Sequence, residues 1–171
     1  MINQLPYSDL TLILEDLYQK HDFHFSDLIH ENESTEYNAS TFTLNGMKIK
    51  YRSSKITPTK TGQFVTLWKR DLDGVTKPHD HLDTIDLVII SARKDNDLGL
   101  FIFPKDVLLK QSIFSTLAKE GKRGFRVYPS WDKTQNKQAQ KTQNWQLNYF
   151  LDVSNFKNID INLLTRLHSC I

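Results

Sequence analysis

The dipeptide Asn45-Gly46 is the feature of this sequence that most constrains its fold. It separates two runs in which apolar and polar residues alternate, and both of its residues readily take the positive φ angles of a type I′ turn, so a β-hairpin is predicted. The turn sets the register, which pairs Leu44 with Met47, Phe42 with Ile49 and Ser40 with Tyr51 on the core side. Lys48, Lys50 and Arg52 fall on the opposite face, about 7 Å from one to the next, and predict a cationic strip.

Positive charge is concentrated in two stretches of the chain. Residues 48–70 carry seven Lys or Arg and no acid, and residues 119–145 carry seven against Glu120 and Asp132. The first 45 residues are the reverse, with eight acids and Lys20 as the one basic residue. Because aromatic residues are interleaved with both basic stretches, the pattern indicates a nucleic-acid surface. A solvated surface of mixed charge is the alternative reading, since about a quarter of the residues are charged in an ordinary domain.

At 171 residues the chain is predicted to form one domain, residues 1–171, whose core is large enough to need no cross-link. The single cysteine, Cys170, excludes an intrachain disulfide and favours a reducing compartment. The N-terminal residues lack the basic and apolar regions of a secretory signal. The longest aliphatic run, 87–90, is far shorter than the roughly 20 residues that cross a bilayer. We therefore expect a soluble, cytoplasmic protein.

The remaining periodicities predict a mixed α/β (α+β) protein, in which helices flank a mixed β-sheet. Helices are predicted at about 8–20, with Ser8 as the cap, directly after Pro104, at 134–151 and at about 159–168. Strands are predicted at 63–70, 85–92, 100–103 and 125–128, in addition to the hairpin. Residues 85–92 are largely apolar, which is typical of a central strand covered on both faces.

Three segments of the chain resemble the MepB family of small bacterial proteins: KIKYRSSKITPTKTGQFVTLWKR, GLFIFPKDVL and GKRGFRVYPSWDKTQNKQAQKTQNWQLNYF. The resemblance extends from about residue 40 to the mid-150s. It implies a fold similar to the PD-(D/E)XK nucleases, with a restriction-endonuclease-like core at about 40–155. It also implies nucleic-acid binding without the full nuclease active site, in a bacterial cell.

A nuclease of that fold needs an aspartate where one strand begins and an acid-x-lysine triplet on the next, so that two carboxylates hold Mg²⁺. Asp86 can supply the first carboxylate, and Lys105 fits the lysine position. The acid position then holds Phe103, whose phenyl ring cannot ligate a metal. We therefore predict a degenerate site without hydrolytic activity. A metal-dependent nuclease or phosphodiesterase that uses Asp86 and Lys105 is the alternative, with Asp83 or Asp106 as the missing carboxylate.

His79 and His81 form a second arrangement with metal-binding chemistry. Two histidines one residue apart point the same way in an extended segment, and with a neighbouring carboxylate they would make a Zn²⁺ or Mn²⁺ set. The segment follows Pro78 in a polar loop that is predicted to be exposed, where such a pair is more often solvated than ligating. No metal and no cofactor is therefore predicted.

Basic and aromatic residues of the two positive stretches are the predicted nucleic-acid contacts. Arginine forks onto phosphate or stacks on a base, and Trp131, after Tyr128-Pro129, is the candidate base-stacking platform. Trp68 and Trp145 are predicted to be core residues. The complete predicted binding set is Lys48, Lys50, Arg52, Lys55, Lys60, Lys105, Lys122, Arg123, Arg126, Trp131, Lys137 and Lys141.

The sequence therefore predicts a non-catalytic nucleic-acid-binding protein that prefers single-stranded DNA or RNA, with weak sequence preference. A net charge of only +2 disfavours a purely electrostatic duplex binder, whereas stacking adds about 1–3 kcal/mol per base on a single strand. A protein-interaction module, in which the acidic N-terminal third docks a basic partner, is the further alternative.

Overall fold

A mixed sheet of six strands forms the centre of the molecule. This computed structural model describes residues 8–169, so Cys170 lies outside the described part. The strands are β1 (Phe25–His30), β2 (Ser40–Leu44), β3 (Met47–Ser53), β4 (Lys55–Ile56), β5 (Gln63–Thr66), β6 (Lys69–Arg70), β7 (Thr76–Lys77), β8 (Leu87–Lys94), β9 (Asp97–Pro104), β10 (Gly124–Val127) and β11 (Phe150–Asp152). The large sheet has the order β1-β2-β3-β8-β9-β11, while β10, β5 and β4 form a smaller sheet and β6 pairs with β7.

The large sheet is mixed because β3 and β8 run parallel, whereas its other neighbouring strands are antiparallel. Four α-helices accompany the sheets within residues 8–169: α1 (Asp9–Leu12), α2 (Lys105–Lys110), α3 (Lys137–Gln146) and α4 (Ile161–Leu167). The predicted architecture of a mixed sheet with flanking helices is thus confirmed. Among the helices of this part of the chain, none combines the length and the apolar composition that a membrane crossing requires.

The N-terminal helix is present as predicted, although its middle is not α-helical. α1 continues as a π-helical segment, Ile13–Tyr18, and a 3₁₀ turn, Gln19–His21. Ser8 caps the start, since its hydroxyl oxygen accepts the backbone N–H of Thr11 at 3.2 Å and so satisfies one of the free donors of the first turn.

The predicted hairpin is present with the predicted register. β2 and β3 are joined by Asn45 and Gly46, whose φ angles are +47° and +82°. The paired residues include Leu44 with Met47, Phe42 with Ile49 and Ser40 with Tyr51. Because side chains alternate along a strand, this register places Lys48 and Lys50 on the face opposite the buried Phe42 and Ile49.

β8 lies inside the large sheet and is covered on both faces, as its apolar sequence predicted. Leu87 and Ile89 belong to one core cluster, which includes the side chains of α1 and α4. Val88 and Ile90 belong to a second cluster, which is shared with the small sheet. Fully burying each of these aliphatic side chains contributes about 1.5–3 kcal/mol, so the strand supports two cores at once.

Several elements differ from the sequence prediction, among them the two-residue strands β4 and β7, which were not predicted. The predicted strand at 63–70 is divided into β5 and β6. The predicted helix at 134–151 is shorter in the structure, where it consists of α3 and one 3₁₀ turn. It ends there because Phe150–Asp152 form the edge strand β11, which pairs with β9. β1 was not predicted, and most of its residues are exposed, so it lacks the apolar alternation that identifies a half-buried strand.

Candidate nucleic-acid interface

A cleft with basic walls lies between the loop 57–62, β10 and α3, and it has a volume of about 600 Å³. We call it the basic cleft. Its cationic wall residues are Lys60, Lys122 and Arg126, and none of its described wall residues is acidic. Tyr128 and Trp145 add aromatic surface, and amide and hydroxyl side chains make up much of the rest. Such a lining supplies hydrogen-bond donors and positive charge to an anionic ligand.

Arg126 fixes the loop that carries Lys60. Its Nη1 donates to the carbonyl oxygens of Thr61 and Gly62, at 3.3 and 3.2 Å, and its Nη2 donates to the Thr57 hydroxyl at 2.7 Å. Donors of the same guanidinium therefore hold both ends of the loop 57–62. Arg126 also lines the cleft, and its hydrogen bonds hold in place the loop that carries Lys60.

Gly62 allows the same loop to lie against β10. Its φ angle is +81°, and a Cβ at this position would come within 2.6 Å of the Tyr128 ring. An L-residue would therefore suffer both backbone strain and a collision with the ring. The loop that carries Lys60 therefore lies close to Tyr128, and both residues line the cleft.

Two glutamines attach α3 to the other side of the cleft. Gln146 is fully buried; its carbonyl oxygen accepts the Tyr128 N–H at 2.8 Å, and its amide donates to the Arg126 carbonyl at 2.9 Å. Gln143 donates to the carbonyl oxygens of Pro129 and Asp132. These hydrogen bonds satisfy the side-chain amides of both glutamines and attach α3 to the segment 126–132.

The first turn of α3 faces the cleft. Asn136 caps the helix by accepting the Ala139 N–H at 2.8 Å, and both residues line the cleft together with Gln138. The free N–H groups of a helix N-terminus carry partial positive charge, which adds to the charge of the lysines. Tyr128, Gln138 and Thr142 also line the cleft but are not in the predicted binding set. Uncharged residues do not reveal a binding role in the sequence, and the scarcity of acids in this helix was the one indication.

Most of the predicted cationic strip on β3 is buried or paired with an acid, which corrects that part of the prediction. Arg52 is only 2% exposed, and its Nη1 lies 2.6 Å from the Glu31 carboxylate. Lys50 donates to the other oxygen of the same carboxylate at 2.6 Å. Burial raises the pKa of Glu31, but the charges and hydrogen bonds of Arg52 and Lys50 outweigh burial and hold the pKa below its ordinary value. Lys48 is the exposed member of the strip.

Four other predicted contacts do not line the basic cleft. The Lys55 ammonium lies over the ring of Tyr37, 4.9 Å from its centroid. Arg123 donates to the Thr76 carbonyl at 3.0–3.1 Å and pairs with Glu120, whereas its neighbour Lys122 lines the basic cleft. Lys137 and Lys141 are exposed on α3 and are not among the wall residues of the cleft.

The two tryptophans near the cleft both pack on the second core cluster. Trp145 contacts Phe103, with ring centroids 5.3 Å apart, and also lines the basic cleft. Trp131 contacts Phe150 edge-on at 5.8 Å and forms part of the wall of an adjoining cavity. The predicted stacking platform is therefore anchored in the core and lies beside the basic cleft.

The residues compared with a nuclease site are close together but are engaged with the backbone. The Asp86 carboxylate accepts the Lys48 N–H at 2.7 Å, and the Lys105 N–H donates to the Asp86 carbonyl at 3.1 Å. The Lys105 ammonium donates to the carbonyl oxygens of His81 and Asp83. Phe103 is fully buried and stacks on Phe101, so it removes water from this position and offers no ligand atom.

His79 is buried, which corrects the prediction of an exposed loop. Its Nδ1 lies 3.0 Å from the Asp83 carboxylate, and the Lys69 ammonium lies 2.8 Å from both Asp80 and Asp83. Burial, followed by the charge of Lys50, lowers the pKa of His79 to about 4. Lys69 thus supplies the positive charge between these carboxylates. Within residues 8–169, no three His, Cys, Asp or Glu side chains are grouped so that they could hold a metal ion.

The fold and the cleft define a mixed α/β protein with a basic, open groove beside a small sheet. Comparison with known proteins is consistent with the resemblance seen in the sequence. The model of the family described as MepB-like matches residues 31–152. A solved structure titled "Crystal Structure of MepB" is 32% identical, with a TM-score of 0.76, and the alignment covers 86% of this chain and 98% of that one. The chain therefore belongs to the MepB-like family. A search of curated proteins found no match.

Proposed function

We propose that this protein binds single-stranded DNA or RNA in the basic cleft, with weak sequence preference and without cutting the strand. The observation that carries the proposal is a cleft of about 600 Å³ whose charged walls are Lys60, Lys122 and Arg126, with no acid among its described wall residues. The proposal also includes a nuclease-like scaffold and a cytoplasmic location, both of which are predicted from the sequence.

The composition of the cleft favours a single strand over a duplex. Tyr128 and Trp145 contribute ring surface, and Gln138 and Thr142 contribute donors and acceptors, which suit exposed bases as well as phosphates. A volume of this size accommodates a small-molecule-sized unit, such as one nucleotide, whereas a duplex would have to bind outside. Stacking contributes about 1–3 kcal/mol per base and is tolerant of sequence.

Binding without hydrolysis is proposed because of how Asp86 and Lys105 are used. Their charged groups bond to the backbone N–H of Lys48 and to backbone carbonyl oxygens, respectively. Phe103, at the acid position of the triplet, is buried in the second core cluster and offers no ligand atom. A cutting site needs two carboxylates that converge on one metal ion.

The salt dependence of binding tests the proposal. A labelled ten-nucleotide strand should bind with an affinity that falls with salt, and the slope of log affinity against log salt should be about −2 or steeper, since each neutralised phosphate contributes about 0.7. Lys60→Ala should reduce the slope by about 0.7. Lys55→Ala is the matched control, because Lys55 lies on Tyr37 and should leave the slope unchanged. Affinity independent of salt would overturn the proposal.

Incubation of the same strand with Mg²⁺, Mn²⁺ or Zn²⁺ tests the non-catalytic part. The strand is expected to stay intact. Cleavage that disappears in Asp86→Ala would show that Asp86 and Lys105 form a working nuclease site, and cleavage that disappears in His79→Gln would show the same for the histidine pair.

A further inference from the structure

A second cavity, of about 490 Å³, lies on the other side of the loop 57–62. Thr59, Lys60 and Thr61 line both this cavity and the basic cleft. The loop is thus a narrow wall between two spaces, and Lys60 stands on it.

The second cavity is basic through residues that the sequence prediction did not select. Lys94, at the end of β8, and Lys133 are both exposed and line it together with Lys60. Asp132 is the acid among its described wall residues, and its carboxylate interacts with the Gly62 N–H of the loop and with the charge of Lys94. Three cations against one engaged carboxylate leave the cavity positive.

Trp131 gives the same cavity an aromatic wall. Its indole ring is partly buried against the second core cluster, and its Nε1 is buried without a hydrogen-bond partner in the described structure. A tryptophan fixed by the core and set beside lysines combines a stacking surface with phosphate-binding charge, which is the combination found at single-strand sites.

Building on the proposed function, we propose that the second cavity is a second subsite for the same strand. The strand crosses the loop at Lys60; Lys94 and Lys133 bind the phosphates beyond the loop, and Trp131 contacts a base. The ligand class is a single-stranded oligonucleotide long enough to occupy both spaces. The basic cleft alone holds about three cations and the two spaces together hold about five, namely Lys60, Lys94, Lys122, Arg126 and Lys133.

The salt slope measures the second subsite. For a ten-nucleotide strand the five cations predict a slope near −3.5, and Lys94→Ala/Lys133→Ala should reduce it to about −2. Lys48→Ala/Lys157→Ala removes the same charge at two exposed lysines that line neither space and should leave the slope near −3.5. A slope unchanged by the Lys94 and Lys133 replacements, while Lys60→Ala still reduces it, would overturn the second subsite and leave the proposed function standing.

Tryptophan fluorescence then locates the strand. Trp68→Phe/Trp131→Phe retains Trp145 in the basic cleft, and Trp68→Phe/Trp145→Phe retains Trp131 in the second cavity. The ten-nucleotide strand, which is long enough to occupy both spaces, should change the emission of Trp145 and also that of Trp131. A response of Trp145 but not of Trp131 to this strand would contradict the second subsite. Absence of any salt-dependent binding would defeat the proposed function and the second subsite together.

Discussion

Glu31 neutralises two cations of β3 in this structure. Each of its carboxylate oxygens bonds to a different cation of β3, Lys50 or Arg52, at 2.6 Å. Arg52 is almost completely buried, and a buried guanidinium without a counter-charge is costly. The carboxylate therefore links the end of β1 to β3 across β2 and neutralises cations that would otherwise attract a polyanion.

Glu31→Gln should destabilise the protein by about 2 kcal/mol, because it removes the counter-charge of a buried arginine while keeping the size of the side chain. Urea unfolding at neutral pH measures the change. The matched control is Glu33→Gln, since Glu33 pairs with Arg70 and both side chains are 47% exposed. The control should cost less than about 1 kcal/mol. Equal losses for the two variants would contradict the structural role of Glu31.

His79 makes folding stability depend on pH. Burial lowers its pKa from 6.5 to about 4. Between these pH values the imidazole is therefore protonated in the unfolded chain but neutral in the folded protein. The stabilisation is complete above pH 6.5 and is lost as the pH falls towards 4, by up to about 3 kcal/mol. His168, whose pKa is also lowered by burial, acts in the same direction.

His79→Gln should consequently show a shallower fall in unfolding free energy between pH 6.5 and pH 4 than the unmodified protein. The variant loses its bond to Asp83 at every pH, so the slope against pH is the informative quantity and the stability at pH 7 is not. Denaturant titrations at four or five pH values give this slope. Parallel pH profiles for the two proteins would show that His79 does not titrate as its burial requires.

At the scale of elements, the loop 57–62 is the piece on which the proposed site depends. Gly62 and Gly74 have nearly equal positive φ angles, +81° and +78°, but different surroundings. A Cβ at Gly62 would meet the Tyr128 ring at 2.6 Å, whereas a Cβ at Gly74 would meet nothing within 4 Å. Replacing Gly74 would therefore introduce backbone strain alone, whereas replacing Gly62 would introduce the same strain and a steric collision.

Gly74→Ala should cost about 1 kcal/mol, which is the strain of a left-handed alanine. Gly62→Ala should cost at least about 1 kcal/mol more, because the loop must also move away from β10. The displaced Lys60 should weaken oligonucleotide binding in Gly62→Ala only. Thermal unfolding and the anisotropy of a labelled strand give both quantities. If Gly62→Ala bound the strand as tightly as Gly74→Ala, the loop would not be a wall of the site.

Elements with local signals could be predicted from the sequence. The register of β2 and β3 follows from the turn at Asn45-Gly46, and the double burial of β8 follows from its apolar run. β11 could not be predicted in the same way, because its strand character comes from pairing with β9, about fifty residues earlier in the chain. β1 is mostly exposed and has a bulge between Ser26 and Ile29. Its sequence therefore lacks the alternation of apolar and polar residues that identifies a strand.

The candidate site was predictable only in part, for the same reason. Lys60, Lys122 and Arg126 were selected by charge, and the structure brings them to one cleft. The pairing of Arg52 with Glu31 was not predicted, since it joins segments two strands apart. Local sequence shows which residues are charged, but a long-range contact decides which charge stays free.

At the scale of the whole molecule, much of the charge that is segregated in the sequence is recombined in the fold. Acids of the N-terminal third pair with basic residues of the same chain: Asp9 with Arg93, Glu31 with Lys50 and Arg52, and Glu33 with Arg70. These acids are therefore less available to a basic partner than a protein-interaction module would require. Positive charge without such partners remains around the loop 57–62.

Lys122 and Arg123 test whether binding depends on this local charge or on the net charge of the molecule. They are neighbours in the sequence and both are exposed, so replacing either lowers the net charge of +2 by one and changes the long-range field almost equally. Lys122 lines the basic cleft, whereas Arg123 bonds to the Thr76 carbonyl and to Glu120.

Lys122→Ala should reduce the salt slope for a ten-nucleotide strand by about 0.7, and Arg123→Ala should leave it unchanged. Both variants should stay folded, because exposed polar contacts contribute less than about 1 kcal/mol, and circular dichroism checks this. Fluorescence anisotropy between 50 and 200 mM salt measures the slopes. Equal reductions would mean that the strand responds to the field of the whole protein, and a larger reduction in Arg123→Ala would move the site away from the basic cleft to the side of β7.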